Sequence, residues 1–172
     1  MNAGAFGGET WPLVTRVTTI DREGALTVHT PTDYEISYRH VRARTAGESW
    51  FVCAELALVA GGEPLTLQAE IRSFLARRSD TQPTGVASCG SVFRNPPGDF
   101  AGRLIEAAGL KRLQQGGAMV AERHANFILN TGAATASDIE DLILAVQARV
   151  EAHAGVRLIP EVRIVGEREI RV

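Results

Sequence analysis

The sequence predicts an α+β fold in two parts, and three observations carry that expectation. Residues 13–29 hold a β-branched, partly alternating run, the turn Asp21-Arg22-Glu23-Gly24 and a second short run, which is the pattern of a hairpin. Residues 66–78 and 137–150 instead place apolar side chains three and four apart, the period of an amphipathic helix. Between them, residues 79–87 lose both periods and collect polar and turn residues, including Pro83 and Gly85, which marks a boundary between lobes.

The opening stretch, Asn2-Ala3-Gly4-Ala5-Phe6-Gly7-Gly8, is dense in glycine. It is either a loose segment or a place where backbone N–H groups approach a ligand closely. After the hairpin, residues 50–59 form a strand that Gly61-Gly62 ends, and the helix over 66–78 sets Leu67, Ile71, Phe74 and Leu75 on one face. Past the boundary, a helix over 99–108 stops at Gly109, and 126–130 is a short apolar strand. A long helix starts at Thr135 or Ser137. Both open a capping box, with Asp138 or Glu140 three residues on, and Glu140 fits the pattern better. Its buried face is Ile139, Leu142, Ile143, Val146 and Val150, and Gly155 ends it. Strands over 156–159 and 162–165, around Pro160-Glu161, complete the reading.

Composition narrows the function. The 172 residues are 45% hydrophobic and 22% charged, which suits a folded domain rather than a tail or a fibre. The net charge of -2 lacks the basic excess of a general nucleic-acid binder. No apolar run approaches the ~20 residues of a membrane-spanning helix, and the first residues lack the basic and apolar regions of a signal peptide. Two cysteines, Cys53 and Cys89, are too few for a disulfide scaffold, so a reducing cytoplasm is the expected location. The four histidines have no metal-ligand spacing, so no metal site is expected.

Chemistry concentrates in Gly90-Ser91-Val92-Phe93-Arg94-Asn95-Pro96-Pro97-Gly98. A hydroxyl, a cation and a carboxamide between glycine hinges suit a loop that offers a proton beside anion-binding groups; the same residues also suit an ordinary connection. Glu161, after Pro160, is either a paired surface charge or a buried acid. Tyr38-Arg39 and the basic residues to Arg44 are either a solvated face or a guanidinium site for a carboxylate or phosphate. His124 is a catalyst or, more commonly, a satisfied structural histidine.

In order, the segments Gly90–Pro96, Ala101-Gly102-Arg103-Leu104-Ile105-Glu106-Ala107-Ala108-Gly109-Leu110, Gly116-Gly117-Ala118, His124-Ala125-Asn126-Phe127-Ile128 and Pro160-Glu161-Val162-Arg163 resemble the UDP-N-acetylenolpyruvoylglucosamine reductases. The resemblance runs from about Ser88 to Gly166, and the glycine-rich opening is similar to the end of that family's flavin segment. It implies a flavoenzyme of peptidoglycan precursor synthesis. FAD, reduced by NADPH, passes a hydride to the enolpyruvyl double bond of a UDP-sugar, giving UDP-N-acetylmuramate.

By the same resemblance, Ser91 donates the proton and Arg39 and Glu161 stabilise the enolate. Tyr38, Arg94, Asn95 and His124 contact substrate, and Asn2, Gly4, Gly7 and Gly8 approach FAD. Residues 1–82, with 156–172 returning to them, are then the second flavin lobe, and 83–155 the lobe for the UDP-sugar. His40 and Val41 after Arg39 depart from the family's acidic residue and serine. The resemblance begins where the family's first flavin lobe is already complete, which implies a gene start assigned too late, a trimmed chain, or a split gene whose partner is a separately encoded N-terminal FAD lobe. The alternatives are a non-catalytic UDP-sugar-binding remnant and a related flavoprotein with another substrate.

Overall fold

The computed structural model describes residues 2–167 and confirms an α+β fold. It divides into two compact units, Met1–Glu70 and Ile71–Val172. No helix among the described residues is long and apolar enough to cross a membrane.

The first unit is antiparallel. β1 (Val14–Asp21) and β2 (Leu26–His29) form the expected hairpin. The Asp21 carboxylate accepts from the N–H groups of Glu23 and Ala25, at 3.1 and 2.8 Å, and Gly24 takes the left-handed conformation that closes the turn. β3 (Tyr34–Ser37) and β4 (His40–Ala43) make a second hairpin, and β5 (Ser49–Leu56) pairs with the free edge of β1. Trp11, Val14, Val17 and Tyr34 are its buried core, with the Trp11 and Tyr34 rings 5.1 Å apart.

The basic residues from His40 lie in and just after β4, a strand that the sequence reading did not give, with Arg42 and Arg44 exposed. Ile36, Val41 and Ala43 pack against the core, while Glu35 and Arg42 pair across the two strands at 2.6 Å. The alternation is there, but charges on the outer face mask it.

Helix α1 (Pro64–Thr81) is longer than its apolar spacing predicts. Its apolar face is barely covered: Leu67, Ile71 and Leu75 are exposed and Phe74 is half-buried.

In the second unit, β6 (Ser88–Ser91), helix α2 (Ala101–Ala107), β7 (Gln114–Gln115), β8 (Ala118–Val120), β9 (Phe127–Asn130) and helix α3 (Ala136–Ala154) follow one another. The strands form one antiparallel sheet in the order β6-β9-β8-β7. Leu142, Ile143, Val146 and Val150 of α3 pack with Leu104, Ile105, Val120 and Ile128 in one core, with Ile139 at its margin. Thr135, not Ser137, caps α3: its hydroxyl accepts the Asp138 N–H at 3.1 Å, and the Asp138 carboxylate accepts the Thr135 N–H at 2.9 Å. The reciprocal pair works with Asp as well as with Glu. Gln147, on the buried face, donates to the Leu158 carbonyl at 2.6 Å. Gly109 and Gly155 adopt the left-handed conformations that end α2 and α3.

The stretch after 156 is not two strands. Leu158 is buried in the core of the second unit, and Pro160 makes an isolated bridge with Phe93. Pro160 has no N–H to donate, and the N–H groups of Glu161 and Val162 both turn to the Val92 carbonyl, so no ladder propagates. The described residues from 156 to 167 cluster with the second compact unit. Residues 168–172 of that stretch lie outside the described residues.

A Cβ on Gly117 would lie 2.3 Å from the Ala134 nitrogen, just before the α3 cap, whereas one on Gly109 meets open space. Gly117→Ala should destabilise the second unit by about 3 kcal/mol through forced backbone movement. Gly109→Ala should cost about 1 kcal/mol, the strain of its left-handed conformation alone. Urea unfolding of both variants checks this, and equal losses would contradict it.

Candidate functional site

The bulge at the end of β6 starts the site. Its pairing with β9 shifts register between Ser88 and Ser91, and Gly90 sits at φ 79°. The chain beyond runs as a short extended segment whose hydrogen bonds are shared between two neighbours. The Val92 N–H donates to the Asn126 carbonyl at 2.9 Å. Phe93 is held by the Asn126 side chain, Oδ1 accepting its N–H at 2.9 Å and Nδ2 donating to its carbonyl at 2.8 Å. On the other side, the Arg94 N–H donates to the Ile159 carbonyl at 2.9 Å, and the Glu161 N–H to the Val92 carbonyl at 2.7 Å.

This crossing brings the backbone of Glu161 against the residue that follows Ser91. Val92 and Phe93 are buried, Ser91, Arg94 and Glu161 half-buried, and Asn95 exposed. Asn95 Oδ1 accepts the Ala101 N–H at 3.0 Å, which ties the loop to the start of α2. Arg94 Nε is buried with no acceptor among the described residues. A cleft of about 520 Å³ is lined by Cys89, Thr135, Ser137, Glu140 and Val162, and its lining does not include Ser91, Arg94, Asn95 or Glu161. Burial raises the pKa of the Cys89 thiol, so it stays protonated at neutral pH.

His124 is half-buried, its ring edge-on to Phe127 at 4.9 Å. Its Nδ1 accepts the Asn126 N–H at 3.3 Å. The missing side chain of Gly102 makes room for it, since a Cβ there would lie 3.2 Å from its Cε1. The ring supports the base of the loop.

The remaining candidates lie in the first unit. Tyr38 and Arg39 form the two-residue tip of the β3–β4 hairpin, with Arg39 at φ 56° and its guanidinium 5.7 Å from the Tyr38 ring centre. Ala5 to Gly8 form a tight turn in which Phe6 and Gly7 have positive φ and the Gly8 N–H donates to the Ala5 carbonyl at 3.0 Å. Gly4 is packed against that turn, since a Cβ on it would lie 1.8 Å from the Gly8 oxygen. Asn2 is 1% exposed. It donates to Glu9 at 2.6 Å and to the Ser37 carbonyl at 3.4 Å, and accepts the Trp11 N–H at 3.1 Å. Asn2 thus fastens the glycine turn to the strand that leads into Tyr38-Arg39.

Sequence reasoning places Asn126 only at the head of a strand and misses its grip on Phe93. A carboxamide at the head of an otherwise apolar run was the available signal.

Burial lowers the pKa of His124 below its usual 6.5, the largest effect on it. The unfolded chain then takes up this proton at higher pH than the folded one, so the contribution to stability is complete above about 6.5. It declines as pH falls from there and levels off below the folded-state pKa. The urea midpoint of the second unit should fall on acidification through this window, and His124→Gln should flatten that slope.

Residues 82–165 match the family model described as UDP-N-acetylenolpyruvoylglucosamine reductase, C-terminal domain. The chain is 58% identical over 169 residues to the UDP-N-acetylenolpyruvoylglucosamine reductase of Alkalilimnicola ehrlichii, covering 98% of this chain and 56% of that one. With its namesake from Methylococcus capsulatus the identity is 59%, covering 98% and 55%. The crystal structure of UDP-N-acetylenolpyruvylglucosamine reductase (MurB) from Thermus caldophilus superposes with a TM-score of 0.76 at 32% identity, covering 94% of this chain and 56% of that one. The chain therefore spans about half the length of the relatives it matches. Family model, sequence identity and fold agree: residues 82–165 form a C-terminal domain of the UDP-N-acetylenolpyruvoylglucosamine reductase family, and the chain as a whole is similar to those reductases.

Proposed function

We propose that this chain supplies the substrate-handling part of an enzyme that reduces UDP-N-acetylglucosamine enolpyruvate to UDP-N-acetylmuramate, a cytoplasmic step of peptidoglycan precursor synthesis. The observation that carries the reading is the crossing of Val92–Arg94 with 159–161, which fixes the Ser91 loop and Glu161 to each other. Bound FAD, reduced by NADPH, would supply the hydride. The residues of this chain meet the charge and the proton that the reaction then requires.

Hydride addition at the terminal alkene carbon leaves an enolate on the neighbouring carbon and its carboxylate. Arg39 is assigned to that carboxylate as a cation and Glu161 as a neutral acid that donates a hydrogen bond, and both interactions strengthen as negative charge develops. Ser91 Oγ gives its proton to the carbon, completing the saturated lactyl ether. Arg94 pairs with a ligand anion, for which its buried Nε is a donor in waiting. Asn95 presents its amide nitrogen to substrate while its oxygen holds α2. Tyr38 lies beside Arg39 as a substrate contact, and His124 acts by supporting the loop.

The glycine turn fits a flavin. Nothing lies within 4 Å of the Cβ position of Gly7, so its backbone is open to close approach, and Asn2 keeps the turn in place. Residues 1–82 would form the second flavin lobe and 83–155 the substrate lobe. The N-terminal part of the relatives, on the same or a separate polypeptide, would complete the flavin site. Exposed Trp50, Phe51, Val52 and Leu56 on β5 are apolar surface that such a partner would cover.

The test joins this chain to the N-terminal portion of the Alkalilimnicola ehrlichii relative and follows the two half-reactions by stopped flow. Glu161→Gln should slow reoxidation by substrate by at least about 100-fold, and Ser91→Ala by roughly 10²–10⁴-fold, with flavin reduction by NADPH little changed. Ser91→Cys should recover part of the loss, and Cys89→Ala should behave like wild type. Equal damage to both half-reactions would count against these roles.

A further inference from the structure

We propose that Asn126 is a positioning residue for the proton donor: its carboxamide sets the path of the segment from Ser91 to Asn95. The inference rests on the reading of Ser91 as that donor. Asn126 is 4% exposed and lies between buried Ala125 and Phe127. A carboxamide at such a place is costly unless both of its ends are bonded. Both ends of this one go to a single residue, Phe93, at 2.9 and 2.8 Å.

The side chain thereby imitates a neighbouring strand. Regular pairing of β6 with β9 ends at Ser91 and Phe127, and the Asn126 amide carries it two residues further. Gly90 precedes this extension with a left-handed φ, and Pro96 follows it, so the segment's course depends on what grips its middle. The Phe93 ring, 2% exposed, anchors the segment in the core. The amide adds orientation about that anchor, and the residues two places away on either side are Ser91 and Asn95.

Asn126→Asp preserves shape and the acceptor for the Phe93 N–H but removes the donor to its carbonyl. Asn126→Ser keeps polarity but falls short of both groups, and it serves if the aspartate variant does not fold. In the chain by itself, Asn126→Ser, which takes the acceptor away from the Phe93 N–H, should speed hydrogen exchange at the Phe93 amide, a readout independent of activity. In the enzyme completed with the relative's N-terminal portion, turnover should fall about 10- to 100-fold, as misplacement of a reacting group predicts. KM for the enolpyruvyl UDP-sugar should stay within about twofold.

The decisive measurement is the double variant. Added to Ser91→Ala, the Asn126 substitution should cause no further loss, because it acts through Ser91. Losses that multiply, or a raised KM with unchanged turnover, overturn the proposal. If Ser91→Ala alone keeps wild-type turnover, the donor assignment has failed and the proposal falls with it. If Phe93 exchange does not change in Asn126→Ser while Ser91→Ala is inactive, only the Asn126 inference fails.

Discussion

The second unit turns on the hydrogen bonds of three consecutive residues, Val92 to Arg94. Their N–H groups and the carbonyls of Val92 and Phe93 are divided between Asn126 on one side and the 159–161 stretch on the other. Neither neighbour is a regular strand at that point. The segment could not be buried without these bonds, because an unpaired backbone group in the interior costs about as much as a lost hydrogen bond. The requirement to satisfy the backbone is thus what brings Glu161 to the residue after Ser91. Gln147 secures the same arrangement from below, by holding the Leu158 carbonyl from α3.

Sharing a segment in this way has a functional consequence. A ladder between two long strands fixes many residues at once and alternates their side chains strictly between two faces. Here the register shift and Gly90 break that alternation just before Ser91, and Asn95 leaves the segment to bond α2. Ser91, Arg94 and Asn95 then flank the buried pair Val92-Phe93, the first two half-buried and Asn95 exposed. The core residues between them, Val92 and Phe93, supply the rigidity that a loop alone would lack.

Much of this was legible in the sequence. The hairpin of β1 and β2, the stops at Gly109 and Gly155 and the buried face of α3 follow from turn chemistry and periodicity. The strands β6, β7 and β8 did not, since two to four residues are too few to show a period. Nor did the irregular course after Val156, where β-branched residues suggest strands but Pro160 and a shared carbonyl prevent a ladder. The candidate site residues came from the resemblance more than from spacing, because Ser91 and Glu161 are seventy positions apart and no local pattern links them. Asn126 shows the limit most clearly: its residue type hints at a buried amide, but its partner lies thirty-three positions away.

The arginines differ in how their charge is met. Arg22, Arg42, Arg112 and Arg157 pair with Glu48, Glu35, Glu122 and Glu151 at 2.6–2.7 Å, and all are well exposed. Such surface pairs contribute about 0–1 kcal/mol, so any of them could be lost with little effect on the fold. Arg94 is different: it sits half-buried in the most tightly bonded segment of the unit, and its Nε lacks an acceptor among the described residues. A buried donor left unsatisfied costs about 1–3 kcal/mol, which folding alone gives no reason to keep. A ligand anion that accepts from it would recover that cost on binding. The substrate class proposed for this family carries a carboxylate and a diphosphate. The donor left unmet by the fold is therefore of the kind that such a substrate would meet.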